Sequence, residues 1–513
     1  MAPATLWTNG RIFTGRRYVE AVAAEDGRIV AAGSEHRARS SAGTGADRVD
    51  LRGRIAVPGL ADAHLHLTEL ARQTAGVDLR GAASIVEVGR RVRRWAARHP
   101  KGPVYGAGWD QDRWRERRYP TSRDIERWVG DRPGVLVRVC HHAAVASASV
   151  LDEVGVNAAT PDPEGGRIGR GPGGEPNGLL FDNALRPLGP WGDRMFARHP
   201  LGLPELLQRA ASFGLTTLGP VSSSPEELEA LAALARRRAP AVRVAAFLRA
   251  QDHERFRTLR RRTETPSTRL VGVKVVSDGA FGPRTAWLDR PYRDDRNERG
   301  FPLQSPGELE AIARAADAAG AVLAVHAIGD RAIASALDVF ESVRPTERPR
   351  IEHVSLTPPK LLDHLDRVRP HLVVQPRFVA SDAWIVDRLG PRRARWTYAF
   401  ASLLARGHAL AGSSDAPVES LDPWTGIAAA LAARPTKAPE TVDAAAAIRM
   451  YGENAGPVLR VPGLGTLETG GVADVVECDG TDLTGLATAG SSRVLRVWRE
   501  GERVDALGAA GER

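Results

Sequence analysis

The chain has 513 residues, 42% of them hydrophobic and 26% charged. This is the profile of a globular protein of two or three domains whose core closes without disulfides or a structural metal. Cys140 and Cys478 are the only cysteines, too few for a disulfide framework and suited to a reducing compartment. The net charge of +9 comes from 71 basic and 62 acidic residues, scattered apart from arginine runs at 236–238 and 260–262. Such runs line solvated helix faces, so nucleic acid is not an expected partner.

Residues 1–14 alternate polar and apolar and contain no secretory leader core. No apolar run approaches the ~18 residues of a membrane span. The expectation is a cytoplasmic protein acting on a small molecule, with no membrane partner and with homo-oligomers left open. Only four of the basic residues are lysines, at 101, 274, 360 and 437. Arginine serves almost every surface site, so a lysine within an apolar strand calls for a specific reason.

In chain order, residues 1–58 read as short strands (5–9, 12–14, 21–25, 28–32, 49–51) punctuated by Gly10, Asp26-Gly27 and Gly33, which is hairpin chemistry. Residues 458–513 carry matching strands at 473–477 and 494–499. The two ends together predict one small β-sandwich. Between them, 59–457 alternates strands with helices. Strand-like runs at 55–57, 216–218, 242–248, 270–276, 321–327, 350–354, 371–375 and 409–412 number eight, and helical patterns fall at 306–319, 332–342 and 358–368. Eight strands fit an α/β fold with a closed (β/α)8 TIM-like barrel, although an open doubly wound sheet alternates similarly. Residues 67–200, rich in Arg, Trp, Gly and Pro and loop-like over 160–177, read as an insertion after barrel strand 1 that covers the catalytic end.

Five segments carry chemistry. In Asp62-Ala63-His64-Leu65-His66 the two histidines lie two apart on a strand and share one side. Paired imidazoles suit Zn²⁺ or a similar ion. Lys274 sits in the apolar run Val271-Gly272-Val273-Lys274-Val275-Val276, where an uncompensated ammonium tends to lose its proton. A neutral lysine amine can take up CO₂ as a carbamate, an anionic ligand able to bridge two metals. Arginine cannot, because its guanidinium stays protonated. The plainer reading of Lys274 is a residue snorkelling from a strand end or pairing with Asp278. His326 and His353 end successive strands, each before a helix. Asp415, in Gly412-Ser413-Ser414-Asp415, follows the last strand, placed either to cap a helix or to ligate metal and accept a proton.

Taken in order, these segments resemble the amidohydrolase superfamily over nearly the whole chain. The branch that they resemble is that of YtcJ-like hydrolases and N-substituted formamide deformylases, amidohydrolase family 3. Gly108-Trp109-Asp110-Gln111, His142-Ala143-Ala144, the stretch from Lys274 to Ala286, and His326-Ala327-Ile328-Gly329-Asp330 are similar to that branch. The pattern is departed from at Cys140-His141-His142, with its extra histidine, and at Ser413, where glycine is usual.

The resemblance implies two divalent metals, Zn²⁺ or alternatively Mn²⁺, Fe²⁺ or Co²⁺. His64, His66 and Asp415 would bind the more buried one and His326 and His353 the other, bridged by Lys274 as N6-carboxylysine. It implies hydrolysis of a C–N bond (amide, N-formyl or cyclic amide) by metal-activated hydroxide, with Asp415 as the catalytic proton carrier. Trp109, His142 and Arg284 are the candidate substrate contacts. The competing readings are a mononuclear deaminase on the same fold and a barrel that binds a small molecule without catalysis.

Overall fold

The computed structural model describes residues 4–111, 114–138, 143–163, 166–198, 202–434, 436 and 439–504, with side chains at all of these but 196–198. It divides into two compact units, one of residues 1–67 with 207–513 and one of residues 68–206.

The larger unit contains an eight-stranded parallel sheet whose spatial order follows chain order. Its strands are β1 (Leu60–Leu65), β2 (Leu215–Pro220), β3 (Arg243–Arg249), β4 (Thr268–Val276), β5 (Val322–Ala327), β6 (Arg350–His353), β7 (His371–Val374) and β8 (Leu410–Gly412). Helices between them include Pro306–Ala318, Asp330–Val343 and Pro359–Val368. The first begins with a capping box in which Ser305 and Glu308 exchange side-chain-to-backbone bonds, with proline at the first turn. β8 and β1 meet through bonds beyond the ladder: Asp415 N–H donates to His64 O at 2.8 Å and His66 N–H to Ala416 O at 2.7 Å. The sheet is thereby closed into a (β/α)8 barrel.

The N-terminal segment supplies a four-stranded sheet (Arg28–Gly33, Ala21–Glu25, Thr5–Thr8, Asp47–Asp50), and both termini together supply a six-stranded sheet. In the latter Ile55–Pro58 lies between Arg11–Phe13 and Val475–Cys478. Trp7, Ile12, Val22, Ile29, Ala56, Val475 and Trp498 fill the space between the two sheets, and the Trp7 and Trp498 rings meet edge to face at 5.8 Å.

Ile55–Pro58 therefore does not open the barrel, as the apolar run had suggested; it pairs in the terminal sheet, and β1 starts at Leu60. Gly59 is the switch between sheets. A Cβ there would lie 2.5 Å from Asp474 Cβ and 2.6 Å from Thr216 Oγ1, so only glycine lets the chain cross between two packed layers. The run looks continuous in sequence because both of its halves are buried.

Residues 68–206 form a mixed six-stranded sheet, in the order Gly166–Arg170, Pro176–Asp182, Ala143–Ala146, Gly134–Arg138, Val104–Trp109, Val77–Asp78. The stretch 160–177, expected as loop, contains a hairpin strand and the start of its partner. The glycines of 171–174 form the turn, and their abundance had masked the strands on either side. Among the described residues, no helix is long and apolar enough to cross a membrane.

Terminal sheet and barrel are joined by an ion pair. The Arg243 guanidinium at the start of β3 clasps Asp474 with bonds of 2.6 and 2.8 Å, both side chains being buried. Burial disfavours the Asp474 carboxylate, but Arg243 outweighs it and holds the pKa below the ordinary value. Asp474→Asn leaves the guanidinium only the half-exposed Glu500 carboxylate at 3.3 Å and should cost about 3 kcal/mol of stability, read from thermal or urea unfolding. Because the folded pKa is depressed, this stabilisation is present above the ordinary Asp value of about 4 and is lost as pH falls through the folded one. The gap between wild type and variant should accordingly narrow in acid.

Candidate metal centre

All six expected ligands lie at or just past the C-terminal ends of barrel strands: His64 and His66 on and after β1, Lys274 on β4, His326 on β5, His353 on β6 and Asp415 after β8. His64, His66 and Asp415 each offer one ligand atom within 4.8 Å of the others. Nε2 of both histidines is 3.3 Å from Asp415 Oδ1. The His64 and His353 rings are 4.9 Å apart by centroid, and those of His326 and His353 4.3 Å. The structure thus gathers four histidines that are spread over 290 residues of sequence.

Each of three rings is held from behind by an oxygen. His64 Nδ1 lies 2.6 Å from Glu352 Oε2, His353 Nδ1 2.7 Å from Gln375 Oε1, and His326 Nε2 3.1 Å from Gly279 O. These oxygens only accept, so the facing nitrogen carries the proton and the other nitrogen keeps its lone pair. His64 Nε2, His353 Nε2 and Asp415 Oδ1 are buried with no hydrogen-bond partner among the described residues. Orphaned acceptors buried in one place fit a divalent cation better than an apolar core.

Charge follows the same logic. Burial pushes His353 down to about 3 and His326 well below its ordinary value, so both rings are neutral. Burial works against the His64 proton too, but the Asp415 and Glu352 carboxylates outweigh it and raise the pKa. For Asp415 burial raises the pKa, yet His64, His66 and His353 hold it well below the carboxylate range. Lys274 is 2% exposed, lies in register between Arg249 and Ala324, and is lowered to about 8 by burial. Its amine makes no hydrogen bond among the described residues, so it does not pair with Asp278. That carboxylate instead accepts the backbone N–H groups of Trp287, Ile328 and Gly329 at 2.8–3.0 Å.

Two ligands occupy strained backbone: His353 has φ 74° and Asp415 φ 57°. Neighbouring strand residues normally face opposite sides. The left-handed turn at His353 breaks that alternation, letting Glu352 and His353 both reach the cluster. Strain of this kind concentrates at functional sites.

The expected substrate contacts fare differently. Trp109 is fully buried in the core of the 68–206 unit, its indole N–H donating to Leu136 O at 2.9 Å, so it is a packing residue. Arg284 is held by Asp294 through bonds of 2.9 and 3.3 Å, and Arg388 shares that carboxylate at 3.0 Å. It is an ion-pair partner within its own loop. His142, with Cys140 and His141, lies outside the described residues.

The sequence reading missed the supporting layer. Glu352, Arg350, Gln375 and Asp62 carry no ligand atom but set the ligands. Asp62 accepts His64 N–H at 3.2 Å and Ser414 N–H at 3.1 Å, and also takes the Ser414 hydroxyl. It thereby ties β1 to the segment bearing Asp415. Its position two residues before His64, on the same side of the strand, was a usable signal, as was the oppositely charged pair Arg350/Glu352 within one buried strand.

A parallel barrel with imidazoles and carboxylate converging at its strand C-termini is the architecture of a metal-dependent hydrolase. The chain belongs to the amidohydrolase family, whose sequence profile matches residues 47–505. It is 32% identical over 447 residues to YtcJ of Bacillus subtilis (strain 168), covering 83% of each chain. It is 29% identical over 512 residues to the N-substituted formamide deformylase of Arthrobacter pascens, covering 94% of this chain and 93% of that one. The crystal structure of an uncharacterized metal-dependent hydrolase from Pyrococcus horikoshii OT3 superposes with a TM-score of 0.82 at 28% identity, covering 98% of this chain and 99% of the other.

Asp62→Ala leaves Ser414 N–H and His64 N–H without their shared acceptor. A loss of about 1–3 kcal/mol is expected for buried donors left unpaired, measured as a lower midpoint in urea at unchanged slope.

Proposed function

We propose that this protein is a binuclear metal hydrolase that cleaves a C–N bond of a small amide, N-formyl or cyclic amide substrate. The observation that carries the reading is the convergence of buried ring nitrogens and a carboxylate oxygen that have no hydrogen-bond partner among the described residues, with three of the four imidazoles held from behind by an acceptor. His64, His66 and Asp415 would hold the more buried ion. His326, through Nδ1, and His353, through Nε2, would hold the second, and Lys274 would bridge them as its carbamate. Zn²⁺ suits the imidazoles, while the oxygen donors also admit Mn²⁺, Fe²⁺ or Co²⁺. When bound, two such ions polarise a substrate carbonyl and make a water acidic enough to lose its proton near neutral pH.

The residues do the rest. Asp415 is ionised, lies 3.3 Å from both His64 and His66, and is the group placed to take a proton from the attacking water and deliver it to the leaving amine. Gln375 keeps His353 in one tautomer. The Gln375 amide donates to Ser413 Oγ at 2.9 Å, which in turn donates to Val374 O at 3.0 Å, so the ring cannot turn without breaking a chain of buried bonds. The deformylase relative acts on N-substituted formamides by its name, which makes N-formyl compounds the first substrates to try.

The test is a hydrolysis screen over N-acyl, N-formyl, cyclic amide and ester substrates, with metal content counted per chain and intact mass measured under native conditions. Two metals, one added CO₂ and turnover of an amide-type bond are expected. One metal with unmodified Lys274 would establish the mononuclear reading instead, and no turnover on any substrate would favour a binding protein. Asp415→Ala should lower kcat by about 10²–10⁴-fold while the protein stays folded. Lys274→Arg should abolish the CO₂ adduct and reduce the metal count. Removing metal with a chelator should lower thermal stability, and adding it back at about 100 times its Kd should restore about 2.7 kcal/mol.

A further inference from the structure

We infer that Arg350 and Glu352 are a positioning pair that selects the metal-binding nitrogen of His64 and braces β1 against β6. The inference rests on the metal-centre reading above and adds to it two residues that ligate nothing.

Arg350 and Glu352 are both completely buried, where ionic side chains persist only when paired. They stand two residues apart on β6, and Glu352 accepts from Arg350 Nε and, at 2.9 Å, from Arg350 Nη2. The same Nη2 donates at 2.7 Å to Ala63 O, the backbone carbonyl immediately before His64. The Glu352 oxygen that accepts from Arg350 Nη2, Oε2, also faces His64 Nδ1 at 2.6 Å. The guanidinium plane lies over the Phe247 ring at 4.2 Å, a contact that supports the flat group from the barrel core. One ion pair on β6 thus grips β1 twice, at a backbone carbonyl and at an imidazole. The two strands are not neighbours in the sheet, so no ladder holds His64 and His353 at their 4.9 Å spacing; this pair does.

The pair also singles out one ligand. His353 is backed by the neutral Gln375 amide oxygen and His326 by the Gly279 carbonyl, with the Asp278 carboxylate farther off at 3.5 Å, whereas His64 meets a carboxylate directly at 2.6 Å. A charged acceptor bonds more strongly than a neutral one and makes the opposite nitrogen a better donor to a metal. Loss of Glu352 should therefore weaken metal binding at His64 with little change in the rest of the cluster.

Glu352→Gln alone leaves a buried unpaired guanidinium and risks unfolding. The informative variant is Arg350→Met with Glu352→Met, which removes both charges and the acceptor behind His64 at similar volume. Arg243→Met with Asp474→Asn removes a buried ion pair that touches no histidine and controls for general destabilisation. Each metal-free protein is titrated with Zn²⁺ against a chromophoric chelator. ¹⁵N-histidine NMR of the metal-free proteins reads the His64 tautomer.

The expected result is a tighter-site affinity about 10–100-fold lower in the Arg350/Glu352 variant and unchanged in the control, with the Nδ1–H tautomer of His64 lost only in the former. Wild-type affinity in the Arg350/Glu352 variant, or an equal drop in the control, would overturn the inference. Should wild type bind no metal at all, the proposed function fails, whereas the NMR comparison still decides whether Glu352 sets the ring.

Discussion

Inside the barrel, His64, Lys274, Arg350, Glu352, His353 and Asp415 are all withdrawn from water among apolar strands, and an ionic group so placed is costly unless something answers it. Arg350 answers Glu352, and Glu352 in turn answers the Nδ1–H of His64. The chain of pairing ends at His64 Nε2, His353 Nε2 and Asp415 Oδ1, which are buried without hydrogen-bond partners among the described residues. The architecture around them is arranged to deliver those atoms to one place. A cation is what completes the balance.

The barrel contributes rigidity where it is needed. Parallel ladders fix the register of Lys274 against Ala324 and of His326 against Glu352, so ligands on neighbouring strands cannot slip independently. Where the ladder cannot help, other devices take over. Between β8 and β1 the Asp62 carboxylate gathers Ser414 and His64, and across the barrel Arg350 reaches from β6 to Ala63. Left-handed backbone at His353 and Asp415 is tolerated because these bonds over-determine it. Far from the site, the buried Arg243–Asp474 pair joins the barrel to the sheets built from both termini.

Much of the fold was legible in the sequence because period and punctuation are local. Seven of the eight barrel strands, the helices beginning near Pro306 and Asp330, and the strand-rich termini all follow from residue patterns of a dozen positions or fewer. The candidate ligand set could be nominated for a related reason: a metal needs particular donor atoms, and His64-x-His66, a lysine in an apolar strand and histidines at strand ends are rare combinations. The scarcity of lysine gave Lys274 its weight. Trp109 and Arg284 were misjudged because an aromatic or a cation in a family-like motif has the same letter whether it faces a substrate, a core or an ion-pair partner. Only burial and partners separate these cases.

By itself the sequence determined which residues can carry charge, lone pairs or a carbamate, and that they recur at the ends of successive strands. Tertiary structure decided everything that depends on distance between remote positions. It assigned Ile55–Pro58 to the terminal sheet and made Gly59 the crossing point, because two buried apolar strands in series look like one. It brought Glu352 to within 2.6 Å of a ring 288 residues away, a contact no local pattern encodes. It also turned His353 inward beside Glu352 through a positive φ that residue identity alone does not announce. Chemistry is written in the side chains; which ring nitrogen keeps its lone pair is set by the oxygens that the fold packs behind the other.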